Sequence, residues 1–500
     1  MIRPSNGALR GVPAAASLFP ALLLTVLAAS GCASTQGLSP RTALLDADGL
    51  SAARMLESGA HSEAAFPTAA WWSALGDPQL DALVREALQD SPSLAIADAR
   101  AHQAQAQAGL ADAARRPTLG AAARYTGVQL PATIAPEPLG GELQASTVLM
   151  LDFEWSPDLW GGDRARYEAA VGQARAAEVD AQAARLALAS NVARTYIGFA
   201  QAQDAIAVAE REQARATRLL ALSRQRVEAG LDNQLQLRQG EAAVAIARQQ
   251  AQASAQQADA MRTALAALLG KGPDRGLDIA APRVLQAPSP TVPAVLPSEL
   301  LGHRADVVAA RWRVEAASRG IDASVARFKP SFDLNAIVGL ASGGLSDLFS
   351  GDALLGFGGP ALSLPIFDGG ELRAALANSN AGYDLAVASY NQSLVGALRE
   401  VADALQAARS LDAQIATVET AVEAATAATR LADTRYRAGL GTQLDVLSAQ
   451  RPLFQLEQQR SGLRAQRLLA TVDLDRALGG GLVLPSPAAS PSHTAGTVTP

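Results

Sequence analysis

Two proline-free tracts limit what this chain can fold into. No proline falls between Gly162 and Gly230, and none between Glu371 and Gly439. Each tract covers about 70 residues, and at the helical rise per residue one helix of that length spans roughly 100 Å. In the second tract apolar or small residues recur at Leu394, Leu398, Val401, Leu405, Ala408, Leu411, Ile415, Val418 and Val422. That spacing is close to a heptad seam and predicts helices that pack as a left-handed supercoil. The opposite faces are rich in Gln, Arg, Asp and Glu.

Both tracts end in the same way. RYRAGLGTQLDVL at 435–447 repeats RVEAGLDNQLQL at 226–237, with Gly439 over Gly230, Leu440 over Leu231, Leu444 over Leu235 and Asp445 over Gln236. A repeat this long is a duplicated half-molecule and not a solenoid unit. Each copy reads as a hairpin tip. Gly230 and Gly439 supply the positive φ that stops the first helix. Asn233 and Thr442 are N-caps for the returning helices at 235–269 and 444–478, and Gln236 and Asp445 complete capping boxes three residues on. Pro452 falls inside the last of these helices and is expected to kink or break it.

The net charge is −6 with both signs scattered, so no basic footprint points to nucleic acid. Cys32 is the one cysteine, which rules out a disulfide framework. Arg3 and Arg10 precede an apolar run at 18–29, and then come Ala29, Ser30, Gly31 and Cys32. This reads as a signal peptide with a lipobox, cleaved before Cys32 and acylated on its thiol. An ordinary signal peptide with an incidental cysteine is the alternative. Residue 33 is Ala where a retained bacterial lipoprotein typically carries Asp, and resemblance to that sorting rule implies the outer membrane as the destination. No later stretch reads as a transmembrane helix, so a membrane-spanning chain must use strands.

Strand patterns occur twice. Leu149, Leu151, Phe153 and Trp155 alternate with polar or variable positions, and a partner strand lies near 119–128, giving a β-hairpin over 118–155. Phe332, Leu334, Ala336 and Val338 alternate likewise, and a Gly/Ser loop at 341–352 leads to a strand near 354–364, giving a second hairpin over 331–364. The expected plan is a signal peptide (1–31), a lipidated tether (32–70), a first repeat (71–275), a linker (276–297), a second repeat (298–484) and a disordered tail (485–500). Four strands cannot close a barrel, and open edges in lipid leave backbone groups unpaired. Insertion therefore needs several chains that pool their strands.

Several motifs resemble the bacterial outer-membrane efflux proteins, the TolC-like outer-membrane factors, in their NodT-type lipoprotein branch. They are WWSALGDPQL at 71–80, LDFEWSPDLWG at 151–161, LPSELLGHRADVVAA at 296–310, GPALSLPIFDGGELRA at 359–374 and the two tips. Family members often carry Arg-Pro-Asp where this chain has Arg304, Ala305 and Asp306. The resemblance implies a mainly α fold with a transmembrane β-barrel. Three chains would form a homotrimer, with a 12-stranded barrel in outer-membrane lipid above an α-barrel tunnel. It also implies a role as the exit duct of a tripartite pump, docked to a periplasmic adaptor (membrane fusion) protein and an inner-membrane pump.

The resemblance also assigns residues. Asp445 matches an aspartate that constricts the periplasmic entrance, and three copies would form a carboxylate ring. The plain alternative is a helix cap, and both can hold. Gln236 is its uncharged relative in the first tip, and Ser448 stands where some members carry a second aspartate. Tyr436 and Arg435 match positions that link hairpins in some members. Alternatively, Tyr436 packs within the hairpin and Arg435 is a solvated charge at a helix end. Gly230, Leu231, Gly439, Leu440 and Thr442 would form the adaptor-docking surface, and exposed leucines at a loop tip favour a covering partner.

Catalytic and zinc-binding spacings are absent from the sequence, and no cofactor is expected beyond the lipid at Cys32. GFGGPA at 356–361 matches a dinucleotide loop only by chance, since it contains proline and lies in a strand. Three functions remain to be separated: a passive efflux duct for toxic small molecules, the duct of a type I protein-secretion system, and a lipid-anchored periplasmic coiled coil that never inserts.

Overall fold

The computed structural model describes residues 34–46, 50, 61–62, 67–131, 133–134, 141–285, 292–293 and 303–481. Cys32, the signal peptide and the tail at 485–500 lie outside the described residues.

Helices α1 (Pro78–Asp90) and α2 (Pro92–Ala113) precede strands β1 (Thr118–Gln129) and β2 (Leu143–Trp155). The first hairpin follows as α3 (Gly162–Glu228) and α4 (Gln234–Leu268). The second repeat supplies α5 (Ala305–Ala326), β3 (Ser331–Ser342), β4 (Leu354–Ser363), α6 (Glu371–Arg437) and α7 (Gln443–Ala477). The descending helices α3 and α6 both have 67 residues and the returning helices α4 and α7 both have 35, so the duplication holds in length as well as in sequence. Among the described residues no helix is long and apolar enough to cross a membrane.

Compact units do not follow the repeat boundary. Among the described residues, one comprises those within 34–43, 104–174 and 313–387, and the other those within 44–103, 175–312 and 388–481. Each therefore draws on both repeats.

The first unit holds an antiparallel sheet in the order β1-β2-β3-β4. Tyr125 pairs with Thr147, Leu149 with Leu340, and Leu340 with Leu354. Because side chains alternate along each strand, this register places Leu119, Tyr125, Leu149, Leu151, Val338 and Leu362 on one face. All six are exposed in the single chain. The opposite face carries Arg124, Gln144, Asp152, Glu154, Asp333 and Asn335, at the alternate positions of the same strands. Strand β3 runs two residues into the expected Gly/Ser loop, and a short 3-10 turn at Gly351–Ala353 closes that loop.

In the second unit a core gathers Trp71, Trp72, Leu80, Val84, Val192, Tyr196, Phe199 and Leu265. Burying a Phe or Leu side chain fully contributes about 1.5–3 kcal/mol. A polar clamp sits at its edge. Asp77 caps α1 by accepting from Gln79 N at 3.0 Å, and its other oxygen accepts from the Tyr196 hydroxyl at 2.8 Å. The Gln79 side chain donates to Tyr196 Oη and to the Ala280 carbonyl, both at 2.9 Å. The clamp ties α1, α3 and the start of the linker together. Burial, then the bond to Asp77, pushes the Tyr196 phenol well above its ordinary range.

The expected seam of α6 is the buried one. Leu394, Val401, Leu405, Ala408, Val418 and Val422 are buried, with Leu398, Leu411 and Ile415 packed beside them. Two expectations change. Helix α7 runs through Pro452 without a break. One lost N–H bond is tolerated there because Leu453 next to it is buried against Val418 and Val422, so packing holds the helix where the ladder is weakened. The expected tether and linker also share a short strand pair: His61–Ser62 pairs in parallel with Val292–Pro293.

Candidate functional site

The chemistry concentrates at the hairpin tips. Helix α3 stops in a Schellman turn, with Leu231 N donating to the Arg226 carbonyl at 2.8 Å and Gly230 N to the Val227 carbonyl at 3.0 Å. Helix α6 stops identically, through Leu440 N to Arg435 O at 2.8 Å and Gly439 N to Tyr436 O at 3.0 Å. Gly230 and Gly439 have φ of 73° and 74°, the left-handed conformation that this turn requires.

The returning helices begin in complete capping boxes. Asn233 Oδ1 accepts from Leu235 N and Gln236 N, and Gln236 Oε1 accepts from Asn233 N at 2.6 Å. In the second tip Asp445 Oδ2 accepts from Thr442 N at 2.7 Å and from its hydroxyl at 2.9 Å, while Asp445 N donates back to Thr442 Oγ1 at 3.3 Å. Gln236 and Asp445 are therefore each engaged in their own cap. Arg435 is not merely solvated, since Nη2 donates to the Leu440 carbonyl at 3.3 Å.

Those bonds to Thr442, the backbone N–H first and the hydroxyl second, hold the Asp445 carboxyl below the usual carboxylate range. A depressed folded pKa stabilises above the unfolded value and is lost as pH falls through the folded one. The second tip should therefore keep its cap unchanged down to about pH 4 and fray only below it. Hydrogen exchange of 439–447, corrected for intrinsic rates, measures this; a Thr442→Ala protein should already exchange faster at neutral pH.

Tyr436 lies elsewhere. It is fully buried, with Leu219 and Val446 against it, and its hydroxyl donates to Asp232 Oδ2 at 2.5 Å. Arg226 completes the group, with Nε 3.1 Å from Asp232 Oδ2 and its guanidinium carbon 4.7 Å from the centre of the Tyr436 ring. Burial first, then the bond to Asp232, pushes the Tyr436 phenol up to about 12. The bond to Asp232 raises the Arg226 guanidinium further above its ordinary value. The phenol thus remains a donor at neutral pH. These three side chains join the end of α6 to the first tip, across 204 positions of sequence.

Sequence reasoning missed Asp232. In the repeat alignment it stands opposite Gly441, an acid with no counterpart in the second tip, and that mismatch was the available signal. The other tip residues are open: Leu231 and Leu440 are exposed, as are Leu235 and Leu444 below them. Among the described residues no group of three or more His, Cys, Asp or Glu is placed to hold a metal ion.

Comparison with known proteins covers most of the chain. A family model described as "Outer membrane efflux protein" matches residues 83–271 and 296–480. A fusaric acid resistance protein, FusA, of Burkholderia cepacia is 38% identical over 72% of this chain and 69% of its own length. The multidrug resistance outer membrane protein MdtP of Escherichia coli K12 is 32% identical over 83% of this chain and 87% of its own. Among solved structures, the outer membrane protein VceC of Vibrio cholerae superposes with a TM-score of 0.75 at 35% identity, covering 83% of this chain and 100% of that one.

Proposed function

The chain belongs to the outer membrane efflux protein family, and from that premise we propose that it is the exit duct of a tripartite pump. It is an outer-membrane efflux protein; the assembly, partners and gating set out below are our reading. The observation that carries the reading is the four-stranded sheet with one apolar face and one that carries the charged side chains among apolar ones. Such a sheet suits a barrel wall between lipid and water once its outer edges, β1 and β4, are paired. Three chains side by side supply 12 strands and pair every edge. The same sheet argues against a coiled coil that stays in the periplasm.

Lipid on Cys32 would anchor the N-terminus in the outer membrane. Leu231 and Leu440, exposed beside Gly230, Gly439 and Thr442, would meet the hairpin of a periplasmic adaptor, which links the duct to an inner-membrane pump. At the entrance, Asp445 from three chains would form an acidic ring, with Gln236 as a neutral neighbour. Tyr436, held by Asp232 and Arg226, would latch the second hairpin to the first and keep the entrance narrow. Substrates are small toxic molecules, by analogy with relatives named for multidrug resistance and for resistance to an organic acid. A type I secretion duct shares this architecture.

Photo-crosslinking from position 440 in cells tests the partner. A periplasmic adaptor should be captured, and its cognate pump separates drug efflux from protein secretion. Heat-modifiable trimers in outer-membrane fractions should accompany it. Intact trimers that capture nothing, with the pump expressed, would refute docking through the tip.

A further inference from the structure

The helix-side ends of the strands border a cavity of about 400 Å³. It opens where β2 runs into α3, α5 into β3 and β4 into α6, and Trp160, Lys329 and Asp368 line it at those three junctions. All three belong to the first compact unit. Strands β2 and β3 have 13 and 12 residues, and a tilted strand needs about 9–11 to cross the hydrocarbon. Once the sheet is inserted, their helix-side ends therefore fall at a boundary between lipid and water.

One cation is held at this boundary without a counter-charge. Trp160 Nε1 donates to the Pro330 carbonyl at 2.6 Å, which satisfies the indole N–H and leaves the residue 48% exposed. The Lys329 ammonium lies 5.0 Å from the centre of the Trp160 ring. Lys329 is exposed and has no carboxylate at ion-pairing distance among the described residues. The other lining charges are engaged. Arg327 pairs with Glu371 at 2.9 Å, and Arg166 with Asp163. Asp158 accepts from Arg164 N at 2.7 Å, and Asp368 from Gly370 N and Leu372 N at 3.1 and 2.6 Å. Lys329 is thus the lining charge free to meet an anion, and the indole holds it in place.

Two further observations point to lipid as the source of that anion. Ile366 and Phe367 stand between the lining residues Pro365 and Asp368, and both are exposed, Phe367 by 89%. Leu364 is exposed too, at the next alternate position after Leu362 of the apolar sheet face. Apolar side chains beside a half-exposed tryptophan and a lysine suit the zone where acyl chains meet headgroups. The N-terminal segment is fastened at the same level. Arg373, in the first turn of α6, donates to the carbonyls of Ser34 and, at 3.3 Å, of Gln36. Asp384 accepts from Arg41 N and Thr42 N, both at 2.8 Å. The segment that leads to the lipid attachment proposed at Cys32 is therefore held at the end of α6 whose Glu371 and Leu372 line the cavity.

We propose that this cavity seats the headgroup of a phospholipid from the inner leaflet of the outer membrane. Lys329 holds the phosphate, and the acyl chains run along Ile366 and Phe367. The volume lies in the range of small-ligand sites. The seat rests on the reading of the sheet as a barrel wall and adds the depth at which that wall sits.

The test titrates 1-palmitoyl-2-oleoyl-phosphatidylethanolamine into the full-length protein in detergent and reads bound lipid by native mass spectrometry. The diacylglycerol with the same chains is the phosphate-free control. The phospholipid should bind about tenfold more tightly. Lys329→Gln should abolish that preference, and Lys329→Arg should keep it, because a guanidinium also pairs with phosphate. Trp160→Phe should weaken binding less than Lys329→Gln, since a ring remains beside the cation. Lys329 is exposed and makes no ion pair, so Lys329→Gln should fold, which heat-modifiable trimers check. Equal binding of the diacylglycerol, or a preference unchanged in Lys329→Gln, overturns the seat. Outer-membrane fractions separate the two readings: inserted trimers without the preference sink only the seat, and a non-inserting protein with a Lys329-dependent preference sinks only the barrel.

Discussion

Asp232→Ala should raise the single-channel conductance or open probability of the reconstituted protein by about tenfold. Asp232 accepts the Tyr436 hydroxyl at 2.5 Å and pairs with Arg226 at 3.1 Å, and its side chain is only 6% exposed. Hydrogen bonds to a charged group contribute about 1.5–3 kcal/mol each, and losing even part of that moves a two-state equilibrium by an order of magnitude. The substitution also leaves the Arg226 guanidinium without its carboxylate, while nothing in the α6 helix itself changes. Tyr436→Phe should do less, because the ring stays under Arg226 and only the hydroxyl bond is lost. Asp445→Ala should raise conductance through a different route, by removing charge from the entrance. Combining it with Asp232→Ala should therefore be close to additive in free energy. Planar bilayers measure all of these, and an unchanged conductance for Asp232→Ala would reduce the Asp232–Tyr436 contact to packing between hairpins.

What the sequence revealed and what it concealed divide along physical lines. Chemistry within a few residues was legible. Gly230 and Gly439 stop helices because the turn needs positive φ, and Asn233 with Gln236 and Thr442 with Asp445 start them because their side chains reach their own backbone. Period-two alternation foretold β2 and β3, with β1 and β4 placed as their hairpin partners, and period-seven recurrence foretold the buried face of α6. Contacts that exist only after the hairpins pack were not legible. Asp232 and Tyr436 are ordinary residues in their own segments, and each satisfies its local backbone without the other. The local rule expects Pro452 to kink or break its helix; burial of Leu453 carries the helix through without a break.

Arg304→Ala should be the most destabilising single change outside the apolar core, by about 3 kcal/mol or more. Arg304 is 6% exposed and holds three partners from three segments: Asp306 at 2.7 Å, Glu400 of α6 at 3.0 Å, and the Ala477 carbonyl that ends α7 at 3.1 Å. Burial disfavours its charge, but Asp306 and then Glu400 outweigh that and raise its pKa. Alanine would leave a cavity where the guanidinium was and strip the last carbonyl of α7 of its donor. The two carboxylates lose less, since Asp306 is half exposed and Glu400 keeps Arg476 at 3.5 Å. Lysine should recover only part of the loss, because one ammonium cannot span three acceptors as a planar fork does. Pulse proteolysis of the purified protein across a denaturant series measures this without requiring reversible heating. Cleavage should move to lower denaturant for Arg304→Ala, with Arg304→Lys between it and the native chain. Coincident curves would mean that the buried cluster is replaceable and that the apolar contacts of Val401, Leu474 and Leu478 suffice to hold this end of α7 against α6.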